Sequence, residues 1–510
     1  MSGVWRGEAV RIATNYGRIL VSFAIGVFLV RTLLGFGEAV FNVYAVVVIG
    51  GGVGVMLREL LRKAILPDLA AAYAAEEFGP RFAQASAAAQ RTALAGAALG
   101  VALLATMGLL LDRLSVDPAL VDAGRLFIAC RAAQVALGVS LSPLLTLPLA
   151  MRRQALANVL LLLERIAELV GVLAALLLAP DDPVAQLTWF ALAGSGAFAL
   201  LYGGAALALL RRWPQARPRL RGAGTASMSR LLRRTAWTTG MVLATNIYLR
   251  FDVLFVSAVL GAGATVAFAI AVQLTGWVRQ IAAGLANGLD AVWAHMGAGR
   301  GRRDERTLLA LSSALQASVT LLATGFVAVS IEDILALWLG GTGVSAASLD
   351  LAATVTLLLM LGIAARSLTE GWRTMINGQG RVDAYVRWLL PLSLLNPVLV
   401  TLVAWDAAPE TGLVRIAVVF AMLQMLGHGV LVTRVAARQL GLPVGALLAP
   451  FVAPLVAALT ATAVAWSLPV FAPMGPLATV AAGVAVFAVA FVALGGVMVA
   501  QVRRARRAAA

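Results

Sequence analysis

The sequence predicts an all-α integral membrane protein: fourteen transmembrane helices forming two pseudo-symmetric six-helix lobes around a central cavity, with two extra C-terminal helices. Three observations carry that prediction. Of 510 residues, 61% are hydrophobic and 13% charged, with a mean hydropathy of +0.91, which leaves too little polar surface for a soluble chain of this length. Apolar runs of about 20 residues, enough to cross a hydrocarbon core, recur fourteen times. The glycine turn joining the first two runs reappears in the second half.

The runs fall at roughly 16–34, 39–57, 91–111, 121–147, 154–178, 186–210, 235–259, 264–292, 307–330, 350–376, 384–405, 413–436, 444–468 and 477–500. Alternate connections are basic: Arg58, Arg62, Lys63, Arg81 and Arg91; Arg152 and Arg153; Arg211 to Arg221; Arg300 to Arg306; Arg381; Arg434 and Arg438; and Arg503 to Arg507. The connections between carry Glu38, Asp112, Asp117, Asp122, Asp181, Asp182, Glu332, Asp333, Asp406 and Glu410. The positive-inside rule then places both termini in the cytoplasm. Only Arg113, and Arg415 near the start of the twelfth run, break the alternation. Residues 58–88 and 211–230 read as basic interfacial helices lying on anionic lipid.

The segment Arg31-Thr32-Leu33-Leu34-Gly35-Phe36-Gly37-Glu38-Ala39-Val40 has its echo in Ser257-Ala258-Val259-Leu260-Gly261-Ala262-Gly263-Ala264-Thr265-Val266, 226 positions later (257 − 31). A weaker echo pairs Met151-Arg152-Arg153-Gln154 with Asn377-Gly378-Gln379-Gly380-Arg381. Tandem repetition of six spans follows. The expected segments are a first lobe at 1–210, a basic cytoplasmic linker at 211–234, a second lobe at 235–440, and two added helices with a basic tail at 441–510.

The net charge of +16 comes almost wholly from arginine in short loops, where a topology signal explains it better than nucleic acid does. Cys130 stands alone, and His295 and His428 lie far apart, so neither a disulfide framework nor a thiol or histidine metal site is expected. The stretch from Met1 to Arg11 lacks the short apolar core of a secretory signal. Gly50-Gly51-Gly52-Val53-Gly54 lacks the Lys-Ser/Thr of a phosphate loop; glycines inside a membrane helix fit close helix packing. No nucleophile or cofactor motif is visible, so the chain reads as a transporter and not an enzyme.

Charge inside the bilayer costs about 2.5–3.5 kcal/mol per residue and marks functional positions. Arg18 shares a stripe with Asn15 and Ser22. Thr238, Thr239, Thr245, Asn246 and Arg250 line one side of the seventh span. Gln273, Gly276, Arg279, Gln280, Ala283 and Asn287 line the eighth, with Arg279 roughly 22 Å along at 1.5 Å per residue, near the midplane. Arg31, Arg131 and Arg366 complete the intramembrane cations. Arginines around a wet cavity suit a phosphate anion, because guanidinium binds it bidentately. Local neutralisation is the alternative for each: Arg250 by Asp252 or a nearby carbonyl, Arg366 by Glu370, Arg165 by Glu164 and Glu168. The first two spans have no carboxylate apart from Glu38 in the turn, which disfavours export of cationic drugs. Asp252, Glu164, Glu168, Glu370, Asp290 and His428 are the possible coupling groups, with His428 the better fit to a packed kink-site histidine.

Arg31-Thr32-Leu33-Leu34-Gly35-Phe36-Gly37 resembles the end of the first helix in polysaccharide-transporter flippases of the O-antigen and exopolysaccharide type. Arg250-Phe251-Asp252 followed by Leu260-Gly261-Ala262-Gly263 resembles their seventh-helix signature. These belong to the multidrug/oligosaccharidyl-lipid/polysaccharide exporter superfamily, and the resemblance covers the whole chain. It implies translocation of an undecaprenyl-pyrophosphate-linked oligosaccharide across a bacterial inner membrane by alternating access, for polysaccharide or lipopolysaccharide synthesis. The glycan polymerase and glycosyltransferases would be partners. On that reading Arg18, Arg250 and Arg279 hold the pyrophosphate, with Arg31 and Arg366 shaping the field nearer the cavity ends. The competing expectation is a cation-coupled multidrug antiporter of the same superfamily.

Overall fold

The computed structural model describes residues 2–151, 153–218, 220, 225–286, 293, 302–379, 381–471 and 474–507. All regular structure among them is helical. Eleven helices are long and apolar enough to cross a membrane, and the number reaches 13 if two bent pairs each count as one span. The chain is a multi-pass membrane protein. Contacts divide it into two compact units, Met1–Ala269 with Gly341–Val344, and Ile270–Gly340 with Ser345–Ala510. That division falls past the repeat-based border at 235, since contact and sequence repetition partition the chain by different criteria.

The first unit opens with α1 (Ser2–Gly35) and α2 (Glu38–Tyr44). A π-helical turn at Ala45–Gly50 continues α2, and α3 (Val53–Glu76) resumes after Gly51 and Gly52. The glycine run expected within an unbroken helix thus marks a break. Beyond it, the unbroken α3 and then α4 (Pro80–Leu109) replace the interfacial helix expected at 58–88. Leu57, Leu60, Leu61, Ala64 and Ile65 are buried at helical spacing, which pulls this stretch into the bundle. Next come α5 (Val121–Ser140) and α6 (Ser142–Ala150), bent by 45° in the span Pro118–Ala150.

Then follow α7 (Gln154–Leu178), α8 (Pro183–Arg212) and α9 (Thr225–Val259). The pair α7 and α8 meets backbone to backbone, with Gly171 opposite Gly194 and the Phe190 carbonyl, as small residues permit in membranes. Most of the expected linker between α8 and α9, together with Arg152 and Gly380 of the weaker echo, lies outside the described residues.

The division between units falls inside α10 (Ala262–Ala286). The two glycine turns have the same geometry in a different register from the one the sequence echo gives. Gly37 (φ +118°) precedes α2 and Gly261 (φ +93°) precedes α10. The Gly37 carbonyl accepts from Phe41 N–H at 3.2 Å, and the Gly261 carbonyl accepts from Thr265 N–H at 3.1 Å. Gly37 therefore corresponds to Gly261, two positions from the match of Gly35 with Gly261. The positive φ that only glycine adopts cheaply fixes this register.

In the second unit α11 (Arg302–Leu339) runs straight through Glu332 and Asp333, so the connection expected at 331–349 shrinks to 340–345 before α12 (Ala346–Leu368). Then come α13 (Glu370–Gly378), α14 (Asp383–Ala404) and α15 (Pro409–Gln424). A second π-helix at Met425–Val432 leads into α16 (Thr433–Leu440). The last helices, α17 (Val452–Phe471) and α18 (Pro476–Arg507), pack on α11 through Leu322, Ala458, Ala461, Ala465, Phe487 and Leu494.

Candidate anion site in the first unit

The break after α2 receives a guanidinium. Arg250 on α9 donates from Nη1 to the Ile49 carbonyl at 2.9 Å, an oxygen in the π-helical turn. Gly52 makes the approach possible, for a Cβ there would stand 1.6 Å from Arg250 Nη1. One turn along α9, Leu254 packs over Gly50, where a Cβ would come within 2.7 Å of its Cδ2. Asp252 is fully buried beside Arg250 in sequence. Of the two local partners open to Arg250, the carbonyl is thus one the structure provides. The side chains of Thr245 and Asn246 lie outside the described ones.

A second cluster joins α1, α3, α5 and α7. Arg58 on α3 donates to Glu164 at 2.5 Å and lies 5.7 Å from the ring centres of both Phe198 and Tyr202, a cation–π geometry. Gly138 leaves it room, since a Cβ there would meet Arg58 Nη1 at 2.8 Å. Arg131 bridges Glu164 at 4.0 Å and Glu168 at 3.7 Å, and donates to Gln134 at 2.7 Å. Arg165 takes Glu168 at 2.7 Å, the local neutralisation its neighbours predict. A water-sized cleft beside them is lined by Arg131, Gln134, Glu164, Glu168, Phe190 and Phe198.

Arg18 is half-buried and donates to Asn15 Oδ1 at 3.0 Å. The positive charges whose fields reach it are Arg62, one turn past Arg58 on α3, and Arg165. Among the described residues, three guanidiniums (Arg58, Arg131 and Arg165) thus share two carboxylates, Glu164 and Glu168, with Arg18 and Arg62 adding positive charge nearby. This cluster holds more guanidiniums than carboxylates, and guanidinium donors of this kind match a phosphate or another oxyanion.

The remaining expected residues are placed elsewhere. Arg31 is exposed near the end of α1. Arg279, half-buried on α10, and Arg366, buried on α12, belong to the second unit. Glu370 bonds Arg373, one turn further along α13, and not Arg366 as expected, because the break at Thr369 separates α12 from α13. Asp290 and Asn287 lie outside the described residues. Among the described residues no cluster of His, Cys, Asp and Glu suits a metal ion.

The sequence places Arg58 and Arg62 in a basic connection, within the interfacial helix expected at 58–88. The signal that identifies them is the helical run Leu57-Arg58-Glu59-Leu60-Leu61-Arg62-Lys63-Ala64-Ile65, whose apolar period continues from the second span without a turn residue.

No protein-family model matches the chain, and no curated protein matches it in sequence. Solved structures do match in fold. A lipid II flippase, MurJ, in an inward closed conformation aligns with a TM-score of 0.70 at 9% identity, over 96% of this chain and 99% of its own. A multidrug resistance MATE family transporter of the MOP superfamily, facing inward, gives 0.63 at 13% identity, over 84% and 98%. A MOP superfamily transporter from Pyrococcus furiosus, described by a reversed polarity of its binding pocket, gives 0.62 at 12% identity, over 84% and 95%. Over nearly its whole length, the chain has the all-helical, membrane-spanning fold that these flippases and transporters share.

Proposed function

We propose that the protein is a flippase that moves an undecaprenyl-pyrophosphate-linked oligosaccharide from the cytoplasmic to the outer leaflet of a bacterial inner membrane. The observation that carries this reading is the arginine excess in the first unit, where Arg58, Arg131 and Arg165 share Glu164 and Glu168 while the fields of Arg62 and Arg165 reach Arg18. A cationic drug is repelled by such a surface, whereas a pyrophosphate supplies the oxygens its donors fit. The fold shared with a lipid II flippase over 96% of the chain supports the same direction.

In this reading Arg18, Arg58, Arg62, Arg131 and Arg250 receive the pyrophosphate, and Arg31 in the first unit and Arg279 and Arg366 in the second are further anion contacts. Glu164 and Glu168 hold the arginines in place between cycles, and Asp252 and Glu370 remain coupling candidates. The lipid tail stays in hydrocarbon while the sugar crosses by alternating access, so no bond is made or broken. We read α7, 25 residues long with Glu168 buried, as the fifth of fourteen spans, and place both termini in the cytoplasm by the positive-inside rule. A glycan polymerase and glycosyltransferases act on either side of the step.

The test is outward movement of a fluorescent lipid-pyrophosphate sugar in vesicles reconstituted with the full chain. Loss of one charge-assisted contact of about 1.5–3 kcal/mol lowers the rate at least tenfold in folded Arg18→Gln and Arg250→Gln. Unchanged movement in both sinks the assignment. Proton- or sodium-driven efflux of a cationic dye, without lipid movement, establishes the multidrug antiporter instead.

A further inference from the structure

One end of the first unit carries a basic patch that the lipid-transport reading does not use. Helix α8 closes on Arg211 and Arg212, and the chain then turns through Trp213 and a short 3-10 turn at Pro214–Ala216. This strap is fastened to the bundle. Trp213 is 9% and Ala216 5% exposed. Ala216 and Pro218 border a small cleft together with Phe82, Gln90 and Leu144. Arg91 on α4 donates to the Leu220 carbonyl at 2.7 Å.

Two guanidiniums converge on the Trp213 indole. The Cζ of Arg153 stands 5.1 Å from the ring centre and that of Arg212 5.4 Å, both within cation–π range. Arg153 is also the N-cap residue of α7, the positive end of that helix, and no acid occupies the first turn. Arg211, Arg217 on the strap, and Arg91 bonded to it are three more exposed cations. Among the described residues none of these five arginines pairs with a carboxylate. A topology signal needs arginines only somewhere in the connection. It does not need two of them gathered on one buried ring, where like charges repel. The position says what can answer that charge. The 30-residue α8 ends at Arg212 and the 25-residue α7 begins at Gln154, so both spans leave the hydrocarbon here, at head-group depth, where indole rings settle. By the positive-inside rule this is the cytoplasmic leaflet, whose anionic lipids attract arginine clusters.

We propose that Arg153, Arg212 and Trp213 form a binding site for the head-group phosphate of an anionic phospholipid, phosphatidylglycerol in chemical type, in the cytoplasmic leaflet. The two guanidiniums donate to the phosphate oxygens, and Trp213 holds both side chains in place. Arg91, Arg211 and Arg217 supply further positive field. The acyl chains lie along the apolar outer faces of α7 and α8, where Val159 and Leu207 are exposed. The lipid is resident and not cargo, so the site is independent of what the protein carries.

The experiment is native mass spectrometry of the purified full chain, titrated with dioleoyl phosphatidylglycerol and in parallel with dioleoyl phosphatidylcholine. Thermal unfolding in the same lipid–detergent mixtures is the second measurement. Wild type binds its first phosphatidylglycerol at least about tenfold more tightly than phosphatidylcholine, and melts several degrees higher with it. Arg153→Gln with Arg212→Gln loses that preference and that rise. Arg434→Gln with Arg438→Gln, an equal loss of exposed charge in another connection, keeps both. Equal binding of the two lipids by wild type overturns the proposal. So does an equal loss of preference in the two double variants, which makes the effect one of net charge. Displacement of the bound phosphatidylglycerol by equimolar undecaprenyl pyrophosphate assigns these arginines to the cargo and also overturns it.

Discussion

The Arg250 guanidinium occupies the space a side chain at Gly52 would need: a Cβ on Gly52 would stand 1.6 Å from Arg250 Nη1. The same guanidinium bonds the Ile49 carbonyl in the π-helical turn, so the break in the second span and the cation of the seventh are one device. Gly52→Ala should expel the guanidinium and cost about 1.5–3 kcal/mol, the worth of a hydrogen bond from a charged donor. The two changes should add only in part: Gly52→Ala with Arg250→Ala should cost less than the sum of the single changes, the remainder coming from the approach of the new Cβ to the Val48 carbonyl oxygen at 2.8 Å, whereas independent sites would sum. Chemical or thermal unfolding of the four proteins measures the cycle.

Glu164 holds Arg58 and approaches Arg131, so neutralising it tests whether the cluster serves an anion or only the fold. Glu164→Gln leaves Arg58 against Phe198 and Tyr202 and adds one net positive charge to the interior. Pyrophosphate, titrated against protein fluorescence, should bind more tightly by roughly 1 kcal/mol, about fivefold, the upper scale of one partly screened charge pair. Release, and with it turnover, should slow. Weaker binding by Glu164→Gln would assign the carboxylate to the ligand site itself.

Gly171 and Gly194 bring α7 against α8. A Cβ on Gly171 would meet the Phe190 carbonyl oxygen at 2.7 Å and the Gly194 Cα at 3.1 Å; both are backbone and cannot rotate away. Gly171→Ala should therefore cost about 1–3 kcal/mol, as overpacking does. It should also disturb Glu168, one turn earlier on the same helix. Lower melting together with weaker pyrophosphate binding is the expected result.

The two repeat turns give a paired test of register. Gly37 and Gly261 have φ of +118° and +93°, whereas a Cβ on Gly35 or Gly263 meets nothing within 4 Å and neither has such a φ. Gly37→Ala and Gly261→Ala should each cost about 1–2 kcal/mol of backbone strain. Gly35→Ala and Gly263→Ala should be neutral or slightly stabilising, because alanine suits a helix better than glycine. The reverse pattern would restore the register of the sequence echo.

Much of the architecture was legible because membranes impose simple rules. Segments long and apolar enough to cross show themselves in composition, as at Pro183–Arg212 and Pro476–Ala500. The candidate site was legible only in part. Arg18 and Arg250 stood out as charges within apolar runs, and Arg165 declared its partner through spacing. Arg58 and Arg62 did not, since a basic residue just past an apolar run reads as a loop signal until the helix is seen to continue to Glu76. The pairing of Glu370 with Arg373, and not with Arg366 four residues before it, depended on a helix break at Thr369 that no glycine or proline announces.

By itself the sequence determined that this chain lives in a bilayer, that it repeats a glycine turn, and that arginine exceeds acid along its interior. Those are properties of residue type and period, which a one-dimensional pattern records. Tertiary structure alone decided which glycine of each turn carries the positive φ, and that Gly52 exists to admit a side chain from about 200 residues away (250 − 52). It also decided how two carboxylates are shared among Arg58, Arg131 and Arg165. Each of these depends on distances of a few ångströms between separate helices, set by how their surfaces interlock and not by the order of residues along any one of them.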